Sequence, residues 1–162
     1  LYVMDCKALA EIATVLGKKQ DAKELKQRAK IFSRKVQELW DEESGIFLNL
    51  HTDTGKRSHR LSPTNFYPML AGICTQRQAE RMMSDYYFNP EYFHGEYVIP
   101  SIARNDPGFK DNEYWRGRIW APLNFLVYIG MQRYDVGEAR RDLVSRSKTR
   151  LMKNCKANGG VF

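Results

Sequence analysis

Glu113-Tyr114-Trp115-Arg116-Gly117-Arg118-Ile119-Trp120-Ala121-Pro122-Leu123-Asn124-Phe125-Leu126 packs tryptophans, a tyrosine and arginines around one glycine, then runs into apolar sequence. Pro122 has no N–H, so it suits the first turn of a helix and not its interior. The helix is therefore expected to begin between Ile119 and Ala121, with Leu123, Leu126, Val127 and Gly130 following at helical spacing. Tyr114 to Gly117 then lie in the loop that feeds the helix, and Gly117 permits a tight or left-handed turn. Flat aromatic rings and a guanidinium fork at the mouth of a helix suit a sugar, which has one apolar C–H face and a rim of hydroxyls.

Working outward, Leu9, Ile12, Ala13 and Leu16 recur at i, i+3, i+4 and i+7 and predict an amphipathic helix that buries them and ends at Gly17. Asp21 with Glu24 reads as a capping box for a second helix, with Leu25, Ala29, Phe32, Val36, Leu39 and Trp40 as its buried stripe. Ser44-Gly45 breaks it, and Ile46 to Ser58 reads as one small hairpin. A third helix opens at Pro63 and runs through Ile73, and a fourth spans Gln76 to Tyr87, ending before Asn89-Pro90. Residues 89–113 carry no helical period, and their aromatics mark a functional loop. The fifth helix is expected over Ile119 to Gln132. The sixth is expected over Val136 to Lys156, stopped by Asn158-Gly159-Gly160. The fold class is all-α, with about six helices joined as antiparallel hairpins.

Asn112-Glu113-Tyr114-Trp115-Arg116-Gly117 with Ile119-Trp120 and Asn124-Phe125-Leu126 resembles the YWRGPxWxxxNxL signature of glycoside hydrolase family 63. That family holds processing α-glucosidase I, bacterial α-glucosidases and mannosylglycerate hydrolases, and trehalases are related more distantly. Leu9 to Lys18, Trp40 to Phe47, Leu61 to Gly72 and Pro100 to Pro107 resemble further family segments in the same order. Arg118 departs from the pattern, because the family has proline there. The resemblance implies an (α/α)6 barrel, two concentric rings of six helices, which needs more than twice this chain's 162 residues. Residues 1–162 are thus expected to be a single segment from the C-terminal half of such a catalytic domain.

The activity implied is hydrolysis, with inversion, of terminal α-glucosidic or α-mannosidic bonds in oligosaccharides or small glycosides. Inversion needs a carboxylic acid and a carboxylate about 6.5–9.5 Å apart with a water between them. The resemblance places the acid upstream of Leu1 and the base just beyond the segment like Gly159-Gly160-Val161-Phe162, so this chain is expected to supply sugar-binding wall. Trp115 and Trp120 match tryptophans lining the subsite of the cleaved ring, and Tyr114 and Arg116 match its polar wall. Asn124 is a candidate to bond a sugar hydroxyl or to orient the loop. Asn65 and Tyr67, at the start of another helix, are candidates to face the same pocket. Asp111 and Glu113 flank the motif but read as solvated loop carboxylates. No cofactor is expected, since proton transfer and electrostatics suffice.

His51, His59 and His94 show no metal-ligand spacing, and Cys6, Cys74 and Cys155 form no CxxC pair. No apolar run approaches a membrane span, so no membrane partner is expected. The net charge of +7 concentrates in the last helix, from Arg133 through Lys156, and raises a basic nucleic-acid-binding module as an alternative. Asp135, Glu138 and Asp142 interrupt that run, and a charged outer face is ordinary, so no nucleic acid is expected as partner. A helical sugar-binding or scaffold remnant is the other alternative. Isolated barrel helices would then self-associate through apolar faces made for absent neighbours.

Overall fold

Small side chains set the first packing interface. In the computed structural model, which describes residues 1–159, α1 (Tyr2–Val15) and α2 (Lys19–Gln37) form an antiparallel hairpin. Gly17 turns the chain at φ +70°. Val3, Cys6, Ala10 and Ala13 of α1 are buried, as are Ala22 and Ala29 of α2. The stripe expected inside lies mostly at the surface. Leu9, Ile12 and Leu16 are 51%, 54% and 64% exposed, and only Ala13 of that set is buried. Alanines and a cysteine let two helix backbones approach closely, and a leucine row would hold them apart. The α2 stripe is also shallower than expected, with Leu25, Val36, Leu39 and Trp40 half-buried and Phe32 at the surface against the edge of Tyr2. Asp21 lies in the first turn of α2 rather than capping it, and Glu24 pairs with Arg28 instead. A carboxylate in a first turn still complements the helix dipole.

After α2 come two small hairpins where one was expected. Trp40–Asp41 (β1) pairs with Ile46–Phe47 (β2), and Asn49–Leu50 (β3) pairs with Arg57–Ser58 (β4). Asp41 closes the first turn by accepting from Ser44 N at 2.9 Å, and Arg57 bonds it at 3.1 Å. Those bonds hold the Asp41 carboxyl below its usual range, the Ser44 bonds contributing most.

The third helix is a 3-10 helix, Pro63–Met69, not an α-helix reaching Ile73. Pro68 lies inside it and has no N–H to donate to an α-helical ladder. It packs on a later helix, Ala121–Met131, at Gly130, where a Cβ would sit 3.0 Å from Met69 Cβ and 3.2 Å from Leu70 N. Ile46, Leu48, Phe66, Met69, Met82, Tyr87, Phe93, Ile99, Val127 and Met131 form the centre of the core around this contact. The helix expected over Gln76 to Tyr87 is one element with a wide last turn. It comprises α3 (Gln76–Met82), capped reciprocally by Thr75 and Gln78, and a π turn over Met83–Tyr87. The helix over Ala121–Met131 is α4. α5 (Gly137–Asn158) ends at Gly159 in the left-handed conformation, φ +68°. The expectation that bears on Gly160 to Phe162 lies outside the described residues.

Cys6 and Cys74 are buried, Cys155 is exposed, and all three are free thiols. Burial pushes the Cys74 thiol up to about 12, which leaves it unreactive. Among the described residues, no helix is long and apolar enough to cross a membrane.

Candidate functional site

The long segment between Phe88 and α4 is ordered by local turns. Asp106 caps a short 3-10 helix, Pro107–Asp111, accepting from Gly108 N at 2.8 Å. Asn112 then takes a left-handed conformation, φ 45°. Glu113 and Arg116 exchange backbone bonds of 3.2 and 2.6 Å, so Tyr114 and Trp115 form the tip of a tight turn. Gly117 follows at φ +112° and donates to Ser101 Oγ at 3.0 Å. Pro100 bridges Ile119, and Trp120 is the residue before α4, with Pro122 in the first turn as the spacing predicts.

This reversal brings the aromatics together. Trp115 stacks on Trp120 with centroids 4.9 Å apart and planes at 21°. Tyr114 meets each of them edge-on, at 5.3 and 5.0 Å. Trp120 Nε1 donates to Tyr114 O at 2.9 Å and locks the tip to the helix start. Trp115 remains 50% exposed, so one ring face is open to a ligand.

The structure gives the remaining candidates different surroundings. Arg116 is already paired, through Nε with Asp111 at 2.8 Å and through Nη2 with Glu113 at 2.8 Å. The two carboxylates that flank the motif therefore act as its brace. Asn124 is buried, and its Nδ2 donates to Val98 O at 2.7 Å, so the amide orients the loop. Its Oδ1 has no partner among the described residues. Tyr67 is half-buried, and its hydroxyl is likewise unpartnered among them. Burial raises the Tyr67 phenol.

Asn65 is 3% exposed and is engaged by backbone on both sides. Its Oδ1 accepts from Ser62 N at 2.8 Å, and its Nδ2 donates to Phe47 O at 2.6 Å, tying the 3-10 helix to β2. The geometry thus makes Asn65 a structural tie between the 3-10 helix and β2. Asn65→Ala is expected to destabilise the chain by about 1–3 kcal/mol, because it strands a buried carbonyl and removes a cap. A urea unfolding curve measures this, and an unchanged midpoint would contradict the assignment.

Beside Trp120 lies a cavity of about 650 Å³, walled by Tyr97, Pro100, Arg104, Phe109, Arg118 and Arg150. Arg104 is the residue that sequence reasoning passed over. Its guanidinium lies 5.3 Å from the Phe109 centroid, and its Nη2 donates to Tyr97 O at 3.1 Å. Its Nε is buried without a partner among the described residues. Gly95 makes room for it, since a Cβ there would overlap the guanidinium. Burial lowers the pKa of Arg104 from the usual guanidinium value. The available signal was its place in Pro100 to Pro107, a segment that resembles the family but from which no site candidate was taken. Arg118 donates through Nε to Asn112 O at 3.1 Å. Among the described residues, Glu96 is the one acidic group on the cavity wall, so the cavity is electropositive. Among the same residues, no cluster of His, Cys, Asp and Glu could hold a metal.

The family described as Mannosylglycerate hydrolase MGH1-like glycoside hydrolase domain matches residues 1–161. Mannosylglycerate hydrolase MGH1 of Selaginella moellendorffii is 30% identical over 131 residues, covering 76% of this chain and 24% of its own length. Cytosolic neutral trehalase of Kluyveromyces lactis is 32% identical over 110 residues, covering 67% of this chain and 15% of its own. The chain therefore spans about a quarter or less of the length of these relatives. Among solved structures, the GH63 mannosylglycerate hydrolase from Thermus thermophilus in complex with glucose superposes with a TM-score of 0.80 at 21% identity. The match covers 91% of this chain and 34% of that one. The described helices are accordingly part of an (α/α)6-barrel glycosidase fold.

Proposed function

Because the chain belongs to the mannosylglycerate hydrolase MGH1-like glycoside hydrolase domain family, we propose that it forms the sugar-binding wall of an inverting α-glycosidase. The bond cleaved is a terminal α-mannosidic or α-glucosidic one. The observation that carries the reading is the Trp115–Trp120 stack at the rim of the arginine-lined cavity. An aromatic face receives the C–H face of a pyranose, and the guanidiniums receive oxygen atoms beyond it.

Arg104, Arg118 and Arg150 favour a glycoside whose aglycone carries a carboxylate, as the name of the mannosylglycerate relatives describes, over the neutral disaccharide of the trehalases. The general acid and base belong to other segments of the enzyme. Asp111 and Glu113 are bound to Arg116, so neither is available to share a water with a second carboxyl. Proton transfer between such a pair needs no cofactor. The exposed row of Leu9, Ile12 and Leu16 also supports a role as part of a larger barrel wall, since such walls bury these faces against neighbouring helices. The same row is the surface through which the isolated chain would self-associate.

Nucleic-acid binding is disfavoured by the way basic residues of α5 are engaged. Arg140 donates to Met131 O and Tyr134 O, and Arg146 pairs with Asp142.

Titration of tryptophan fluorescence with mannosylglycerate, methyl α-D-mannopyranoside, trehalose and duplex DNA tests the proposal. The expected result is saturable quenching by the glycosides, strongest for mannosylglycerate. A response only to DNA, falling steeply with salt, would instead support the basic-module alternative. No response to any sugar would refute the sugar reading.

A further inference from the structure

The loop that carries Tyr97 into the cavity is gripped from two sides. On one side stands Arg104, close against Gly95 and bonded to Tyr97 O. On the other stands Arg146 of α5, whose Nη1 donates to Gly95 O and, at 3.4 Å, to Glu96 O. The opposite edge of the same guanidinium is held by Asp142, with Nε at 2.9 and 3.0 Å from its two oxygens. Asp142 in turn accepts the hydroxyl of Tyr87 at 2.9 Å and lies 3.3 Å from His94 Nε2. Tyr87 is fully buried in the core.

A continuous set of bonds thus leads from the core through Asp142 and Arg146 to the backbone of residues 95–96, and from there to the Tyr97 ring at the cavity wall. Burial alone would raise the Asp142 carboxyl, but the bonds from Arg146 and Tyr87 outweigh it and hold it below its usual range. The planar guanidinium fork can bond a carboxylate and carbonyls on different edges at once, which a lysine ammonium cannot reproduce in a fixed geometry.

We propose that Arg146, seated by Asp142, is a positioning residue for the sugar-binding wall. It pins the carbonyls of Gly95 and Glu96 and thereby places Tyr97 at the cavity edge. It touches no sugar itself and acts through the loop. The proposal rests on the sugar reading above.

The test compares wild type, Arg146→Met, Arg146→Lys, Tyr97→Ala and the double variant Arg146→Met/Tyr97→Ala in fluorescence titrations with mannosylglycerate and methyl α-D-mannopyranoside. Amide hydrogen exchange is followed in parallel. Arg146→Met is expected to weaken binding about tenfold, equivalent to 1.4 kcal/mol. It should speed exchange at Glu96–Val98 and leave the core helices protected. Arg146→Lys is expected to recover part of the affinity. The double variant should bind no more weakly than Tyr97→Ala alone, because one residue acts through the other.

Wild-type affinity in Arg146→Met, or losses that add in the double variant, would overturn the proposal. Should Arg146→Met unfold, the Arg146→Lys and Tyr97→Ala titrations with their double variant decide on the same additivity criterion. A wild-type chain that binds neither sugar refutes the sugar reading instead. Loop exchange in Arg146→Met then decides the clasp, since unchanged rates at 96–98 would overturn it.

Discussion

Gly117→Ala is expected to destabilise the chain by about 2–6 kcal/mol and to dissolve the aromatic tip. About 1–3 kcal/mol of this comes from forcing a side chain into sparsely populated backbone space, and a similar amount from overpacking. At φ +112°, Gly117 lies outside the conformations an alanine adopts readily. The added Cβ would stand 2.6 Å from Phe109 O, a backbone atom that cannot swing aside. Relief requires shifting the 107–111 turn or the Glu113–Arg116 turn, and moving the latter strains the Gly117 bond to Ser101. Gly17→Ala is the internal control. Gly17 also has positive φ, but a Cβ there meets nothing within 4 Å, so its expected cost is about 1–2 kcal/mol from backbone conformation alone. Urea unfolding of both variants measures the difference, and equal costs would show that the contact with Phe109 is unimportant.

Trp120→Ala is expected to lower sugar affinity at least about thirtyfold, near 2 kcal/mol, the size typical of a dominant contact residue. Three effects act together. The stacking partner of Trp115 is lost, the donor to Tyr114 O is lost, and the cavity loses part of its wall. Trp115→Ala removes an exposed platform without breaking the lock between tip and helix, so its loss should be smaller. Trp120→Phe separates platform from lock, because it keeps a ring but has no N–H. The variants are read by calorimetric titration with mannosylglycerate, and Trp120→Ala binding as wild type would remove the stack from the site.

Several elements are legible from local signals. Pro122 places the start of α4, Asn89-Pro90 bounds the 76–87 span, and Gly159 marks the end of α5, since each depends on chemistry within a few residues. The tryptophan-bearing loop is legible for the same reason, because its glycine and its neighbouring helix start are both local. α1 shows where such reasoning stops. Its apolar period is real, but apolar residues flank more than one side of the helix, and the period does not say which side meets a neighbour. The observed seam of Val3, Cys6, Ala10 and Ala13 follows from close approach to α2 and to Ala71, a contact formed across distant sequence. The two hairpins look like one in the sequence because strands of two residues carry too little alternation to show a break.

The helices and the aromatic motif are written in periodicities and residue spacings that act over one or two turns, and the family shows in the likeness of whole motif segments along residues 1–161, so no long-range contact was needed to find them. Which partner each polar side chain meets is a different matter, settled by how the chain packs. Asn65 became a tie to Phe47 and Arg116 a braced pair, while Arg104 was drawn under Gly95 and Arg146 was set against Asp142 and the loop. The free energy of a polar side chain depends on the partner it meets when it leaves water. Asn65 meets Phe47 O 18 residues away and Arg146 meets Gly95 O 51 residues away, beyond the reach of any local pattern.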